Sequence, residues 1–350
     1  MIRSVCNNDN DDCSRDNEKS NNNEKRSFLK YGTCETINKY KIIKLIAKGS
    51  YGHCYKANKI SDDDNTEFVV LKKVIMHNES SDGFPITTLR EIKTLRQIGD
   101  HPNCIKLQKV IVDNKHVFLV FDYCENDLGN LIMTKLVKFT ESESKNLILQ
   151  LLNGLSFIHS HNIIHRDLKL SNLLYDKGKL KICDFGLARV VASDMTNNVV
   201  TLWYRSPEIL LGSKNYTSSI DIWSCACIFC ELLLFRPLFP GNDEMDQLRL
   251  IFSCLGIPQK HIWPSIHELP LTRNGFVDLT QEQQKFGCFN NLRIILPRSI
   301  SEEGFHLLLQ LLAYDPNKRL TASTACHHTY FSQTPLPCRT DLMPFFYDNL

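Results

Sequence analysis

The stretch His165-Arg166-Asp167-Leu168-Lys169-Leu170-Ser171-Asn172, followed twelve residues later by Asp184-Phe185-Gly186, constrains this chain more than any other. Asp167 can accept the proton of an attacking hydroxyl, and Lys169 can neutralise charge on a moving phosphate. Asn172 and Asp184 offer hard oxygen ligands to Mg2+. A lone Asp-Phe-Gly recurs by chance, whereas both segments in this order on apolar flanks form a specific pattern for phosphoryl transfer. The alternative is a polar turn between buried strands.

Upstream residues supply a matching set. Tyr40 to Ile46 alternates and predicts a strand. Ile46-Ala47-Lys48-Gly49-Ser50-Tyr51-Gly52-His53-Cys54 then predicts a glycine-rich turn, where backbone N–H groups can lie over phosphates because no Cβ intervenes. Phe68-Val69-Val70-Leu71-Lys72 predicts a strand ending on a lysine. Pro85 suits the first turn of a helix on which Leu89, Ile92 and Leu95 recur at helical spacing. Glu91 on that helix is the carboxylate expected to hold Lys72. Val117 to Cys124 predicts another strand. Leu147, Ile148, Leu151, Leu152, Leu155 and Ile158 form a helical stripe, and Ile220 to Cys230 is apolar all round, which predicts a central buried helix.

These segments resemble the protein kinases. Pro85-Ile86-Thr87-Thr88-Leu89-Arg90-Glu91 is similar to the cyclin-contacting helix of the cyclin-dependent kinases, nearest the subgroup named for P-I-T-S-L-R-E. Met195-Thr196 and the tail from Tyr330 to Pro344 resemble the ten and eleven branches of that family. The likeness implies an α+β, bilobal protein kinase fold. It divides the chain into an arm (1–36), a kinase domain (37–331) and a tail (332–350). Within the domain, a β-rich N-lobe with a regulatory helix (about 37–124) precedes a mainly helical C-lobe (about 125–331).

The resemblance also implies roles. ATP and Mg2+ lie between the lobes, under the turn Ile46 to Cys54. Lys72, held by Glu91, grips the α- and β-phosphates. The backbone at Asp122 and Cys124 bonds adenine, Phe121 is the gatekeeper and Asp127 contacts the ribose. Asp221 caps the catalytic-loop backbone, and Glu208 pairs with Arg319. Thr196 is the activating phosphorylation site, with Arg90, Arg166 and Arg189 receiving the phosphate. Ser50 and Tyr51 stand where inhibitory phosphates occur, or are ordinary loop residues. The position of Val200 implies a carbonyl twisted away from the substrate, hence protein substrates with Ser/Thr-Pro. The implied partner is a cyclin of M or L type. Ala47 replaces the first glycine of the family's turn, Ala226 replaces a glycine, and the activation segment is about three residues shorter than in cell-cycle members. Mitogen-activated kinases carry a tyrosine where this chain has Asn198.

Composition adds exclusions. A net charge of +2 gives no global field for nucleic acid or an anionic membrane. The 14 cysteines are scattered and the N-terminus has no apolar leader segment, so reduced thiols in an intracellular protein are expected; a location in nucleus and cytoplasm is implied by the family resemblance alone. Cys227 and Cys230 read as small buried apolar residues rather than metal ligands. Cys54, Cys124 and Cys183 align around the adenine site, as a thiol lining or as small hydrophobes. Residues 1–36 are rich in Asn, Asp, Ser and Lys and are expected to be disordered. A silent scaffold binding cyclin or nucleotide and a cyclin-independent kinase remain the alternatives.

Overall fold

The computed structural model describes residues 36–49, 52–60, 67–75, 85–113, 116–191, 195 and 200–347. The expected disordered arm, apart from Thr36, lies outside the described residues, as do Ser50, Tyr51, Thr196 and Asn198.

Strands β1 (Tyr40–Gly49), β2 (Gly52–Lys59), β3 (Glu67–Val74), β4 (Leu107–Asp113) and β5 (His116–Asp122) form one sheet in the order β1-β2-β3-β5-β4. Every neighbouring pair is antiparallel. The strand period of two splits β5 between two cores. Phe118 and Val120 join Tyr40, Ala57, Val69, Leu71 and Ile111 on one face, while Val117, Leu119 and Phe121 join the main core on the other. Burial on both faces explains why this strand reads as a continuous apolar run.

Helix α1 (Ile86–Ile98) separates β3 from β4. Pro85 is its N-cap rather than its first residue. Of the expected stripe, Leu95 is buried and Ile92 packs against the core, but Leu89 lies off the inner face. Thr88, Glu91, Thr94, Leu95 and Ile98 are buried, whereas Leu89 is 52% exposed and Ile86 64%. Glu91 must face the sheet to meet Lys72, and that rotation turns Ile86 and Leu89 outward.

The C-lobe begins at β6 (Asn126–Asp127) and centres on two helices, α2 (Glu141–Ser160) and α4 (Ser219–Leu234). A capping box starts α2. The Glu143 N–H donates to Thr140 Oγ1 at 3.3 Å, and the Thr140 N–H donates to Glu143 Oε2 at 2.7 Å. Its expected stripe, Leu147 to Ile158, is fully buried. Between these helices run β7 (Ile163–Ile164), β8 (Leu173–Asp176), β9 (Lys179–Ile182), β10 (Arg189–Val190) and the one-turn α3 (Pro207–Leu210). Helix α4 is buried from Ser219 to Leu232, as its composition predicts, and Cys225, Cys227 and Cys230 are free thiols inside it. Helices α5 (Glu244–Leu255), α6 (Pro270–Arg273), α7 (Leu279–Phe286), α8 (Leu292–Ile295), α9 (Glu302–Leu311) and α10 (Ala322–Cys326) complete the lobe. Among the described residues, no helix is long and apolar enough to cross a membrane.

The anticipated pair of Glu208 and Arg319 locks α3 onto this core. Two parallel hydrogen bonds join them, Nη1 to Oε1 at 2.8 Å and Nη2 to Oε2 at 3.0 Å. Arg319 also donates to the carbonyls of Ala313 and Ser219, and its guanidinium lies 5.2 Å from the Trp223 ring centroid. Removing one partner strands a buried charge. Glu208→Ala is therefore expected to lower the unfolding free energy by about 3–5 kcal/mol. Urea titration reads this, and a loss below about 1 kcal/mol would mean that the pair behaves as an exposed one in solution.

Candidate active site

The catalytic loop, 165–172, connects β7 to β8 and takes its shape from one buried carboxylate. Asp221, in the first turn of α4, accepts the His165 N–H at Oδ2 (2.8 Å) and the Arg166 N–H at Oδ1 (2.9 Å). His159 Nε2 lies 2.9 Å from Oδ2. Burial opposes the charge on Asp221, but the His159 ring and these N–H groups outweigh it, and the carboxyl sits below its ordinary range. The same bonds hold Arg166 at φ +68°, a left-handed conformation uncommon for a non-glycine residue.

Asp167 is held at both oxygens. Oδ1 accepts the Thr201 hydroxyl at 2.9 Å and the Thr201 N–H at 3.2 Å. Oδ2 accepts Lys169 Nζ at 2.9 Å and Asn172 Nδ2 at 3.1 Å. Lys169 reaches Thr201 Oγ1 as well, at 3.3 Å. The three expected catalytic residues thus meet in one polar cluster, and Thr201 joins it.

Lys72 links the lobes. Its Nζ lies 2.7 Å from Glu91 Oε1 and 3.5 Å from Asp184 Oδ1. Burial would strip its proton, but the two carboxylates outweigh burial and hold the ammonium well above its usual range. Burial pushes Glu91 up, and Lys72 opposes that. The expected Lys72–Glu91 pair is closed in this chain alone. Asp184 sits at φ +63° at the edge of the cleft, its carboxyl held below the usual range because Lys72 outweighs burial. Asn172 spends Nδ2 on Asp167, donating also to its carbonyl at 2.8 Å, so Oδ1 is the atom that it can offer. One amide oxygen and one partly exposed, ionised carboxylate suit Mg2+, which keeps several waters.

The expected adenine and ribose contacts line the other end. Asp122 ends β5, its carboxylate bonded to Gln108 at 2.8 Å and Lys181 at 2.7 Å. Asp127 Oδ1 accepts the Asn130 N–H at 2.8 Å, and burial raises its carboxyl. Cys54 pairs in register with Lys72 and with Ala47. Cys54, Cys124 and Cys183 are free and partly buried; burial pushes Cys124 up to about 12, Cys183 well above its ordinary value, and Cys54 upward. From the turn, Ile46, Ala47, Lys48 and Gly49 end β1, and Gly52, His53 and Cys54 open β2.

Arg90, Arg166 and Arg189 converge. Burial, then Arg189 and Arg166, pull the Arg90 guanidinium below its ordinary range. Arg166 donates to the Leu187 carbonyl and to Tyr216 Oη, whereas Arg189 Nε is buried without an acceptor among the described residues. Three cations with an unmet donor make a receptor for an anion. Val200 has φ +67°, and its carbonyl accepts Arg205 Nη2 at 3.0 Å.

Sequence reasoning did not single out Thr201, Gln108 or Lys181 as part of the site. Nor did it find Lys56, whose Nζ sits 4.5 Å from the Phe68 ring centroid and 4.1 Å from that of Tyr123. A lysine on an exposed-looking strand carries no local signal of such a seat. Elsewhere, Glu303, His306 and His328 bring their ligand atoms within 4.8 Å of one another. His328 Nδ1 accepts the Tyr330 N–H at 3.1 Å, so its Nε2 carries the proton bridging to His306 Nδ1 at 3.1 Å. A metal there would have to displace that proton, so the group reads as a hydrogen-bonded pair.

A protein kinase domain model matches residues 40–331. The chain is 45% identical over 321 residues to cyclin-dependent kinase 10 of Homo sapiens, covering 90% of this chain and 86% of that protein. It is 45% identical over 307 residues to probable cyclin-dependent kinase 10 of Dictyostelium discoideum, covering 86% and 81%. The crystal structure of the yeast RNA Pol II CTD kinase CTDK-1 complex matches with a TM-score of 0.77 and 36% identity, over 90% of this chain and 99% of that one. The likeness drawn from the helix Pro85 to Glu91 and from the tail is borne out.

The loop after Val200 rests on a carboxyl poised near neutrality. Tyr204 Oη donates to Glu231 Oε2 at 2.7 Å, and burial pushes Glu231 up to about 7. The folded state thus keeps a proton that the unfolded chain releases from about pH 4.5. This stabilisation is fullest below that pH, fades as pH rises to about 7, and is then gone. Wild type is expected to lose roughly 3 kcal/mol more than Glu231→Gln across that window. Equal slopes in denaturation at several pH values would refute this.

Proposed function

The chain belongs to the protein kinase family, in its cyclin-dependent branch, and is a serine/threonine protein kinase; from that premise we propose that it transfers the γ-phosphate of ATP to Ser or Thr followed by Pro, in complex with a cyclin. The reading rests above all on Val200. With its carbonyl turned to Arg205, the backbone offers no acceptor to an N–H after the phosphoacceptor. Proline has no N–H to strand, so it alone enters without that cost.

Asp167 orients the substrate hydroxyl and takes its proton, while Thr201 and Asn172 fix the carboxylate. Lys169 faces the transferred phosphoryl, and Lys72, braced by Glu91, draws the α- and β-phosphates. Mg2+ bound by Asn172 and Asp184 would neutralise charge on the phosphates. Positioning and charge stabilisation supply most of the rate, because the transition state is loose. The exposed Ile86 and Leu89 of α1 give a cyclin an apolar surface, with M or L type favoured by the sequence resemblance. Phosphorylated Thr196 would seat among Arg90, Arg166 and Arg189. Phosphorylation of Ser50 and Tyr51, and residence in nucleus and cytoplasm, follow from kinship.

The test combines the protein, an M- or L-type cyclin, Mg-ATP and peptides differing only as Ser-Pro or Ser-Ala. We expect cyclin-stimulated turnover with roughly 10- to 100-fold preference for Ser-Pro. Asp167→Asn should lower kcat by about 10²–10⁴. Nucleotide binding without stimulated turnover would favour the silent scaffold. Equal use of both peptides would remove the proline assignment.

A further inference from the structure

The family model ends at residue 331, yet the chain continues as an ordered strap to Tyr347 that returns to the nucleotide site. Three residues at the start of α2 fasten its first half. Lys145, whose side chain is 0% exposed, donates to the carbonyls of Gln333 (3.0 Å) and Pro335 (2.9 Å). Ser142 Oγ donates to the Leu336 carbonyl, and Asn146 Nδ2 to that of Cys338, both at 2.6 Å. A lysine with no exposure holding backbone carbonyls is a fixed anchor, since releasing it would leave a buried ammonium without its hydrogen-bond acceptors, with Glu141 at 4.0 Å as its ion-pair partner.

The second half crosses the β8–β9 turn. Gly178 there has φ +76°, and a Cβ on it would collide with the Thr340 carbonyl. Met343 is buried beyond it. The strap then makes two bonds to the strands flanking the cleft. Tyr175 Oη donates to the Pro344 carbonyl at 2.6 Å, and Asn126 Nδ2 to the Phe346 carbonyl at 2.7 Å. Asn126 Oδ1 is itself held by Lys135 at 2.7 Å. The Phe346 ring stands edge-on to Phe139, with centroids 6.1 Å apart, and lies 5.9 Å from Tyr175.

These contacts fall on a particular pair. Asn126 and Tyr175 are register partners in the β6–β8 ladder, and so are the next residues, Asp127 and Leu174. Asp127 is the expected ribose contact, and β8 starts directly after Asn172. We propose that this C-terminal strap positions the sugar end of the nucleotide site: Asn126 and Phe346 fix β6 against β8, and thereby Asp127, without touching the nucleotide. The inference rests on the ATP reading above. Asn126 and Phe346 are positioning residues, so they should govern nucleotide affinity and leave the chemical step alone.

The test uses the full chain with its cyclin, a truncation after Met343 that keeps the buried methionine, and Phe346→Ala. A fluorescent ATP analogue is titrated in Mg2+ without turnover, and ATP KM, peptide KM and kcat are measured in parallel. Loss of the ring contacts in Phe346→Ala, and of these together with two hydrogen bonds in the truncation, should weaken analogue binding and raise ATP KM by about fivefold or more. Peptide KM and kcat should stay within about twofold, a change too small to indicate a lost interaction. Phe346→Tyr should restore wild-type binding, and Tyr347→Ala, at an exposed residue, should leave it unchanged. Unchanged analogue affinity in the truncation overturns the proposal. So does a joint fall in kcat and folded fraction at constant ATP KM, which would make the strap a stabiliser only. Failure of the wild type to bind the analogue overturns the nucleotide reading itself, and the strap proposal with it.

Discussion

Asp221 is the constraint from which the rest of the site hangs. A carboxylate fully inside a helical core is costly unless its oxygens are bonded, and here the donors are the catalytic loop's own N–H groups and His159. The charge and the loop conformation therefore require each other. Without Asp221, the two N–H bonds that hold Arg166 at φ +68° are lost, and the next residue is Asp167, the proposed base. Helix α4 can carry this charge because it is buried from Ser219 to Leu232 and mostly apolar. Along one face, Asp221, Ser224 and Glu231 follow at helical spacing. Asp221 shapes the catalytic loop, Ser224 bonds the Tyr204 carbonyl, and Glu231 bonds the Tyr204 hydroxyl. One buried helix thus fixes both Asp167, the proposed base, and the loop after Val200.

The sequence disclosed those parts of the site in which a charge stands inside an apolar element. Lys72 at the end of a β-branched strand, Asp221 in an all-apolar helix, and Glu208 with a distant Arg319 are anomalies unless they have partners, and each has one. The same logic fails where local pattern and long-range pairing conflict. The periodicity of α1 points Leu89 toward the core, but the Lys72–Glu91 pair sets the rotation and leaves Leu89 outside. Contacts to backbone carbonyls leave no trace in composition. Lys145 looks like a surface lysine on a helix, but the Tyr330 ring and the carbonyls of the returning strap enclose it. Thr201 is equally silent, because its role depends on how the chain folds back from α3 over the catalytic loop.

The three arginines explain how one anion could serve several parts at once. Arg90 immediately precedes Glu91, Arg166 immediately precedes Asp167, and Arg189 opens β10 just beyond Asp184-Phe185-Gly186. Gathered without an anion, the cations repel, and among the described residues Arg189 Nε is left buried without an acceptor. A phosphate there would bring about −1.5 to −2 charges and three acceptor oxygens. It would cancel the repulsion and tie α1, the catalytic loop and β10 to one point. Those three elements carry the brace of Lys72, the proposed base and the segment after Asp184, the proposed metal ligand. Charge added at a single receptor would therefore stiffen every part of the constellation by way of its nearest chain neighbour, with no contact to the nucleotide.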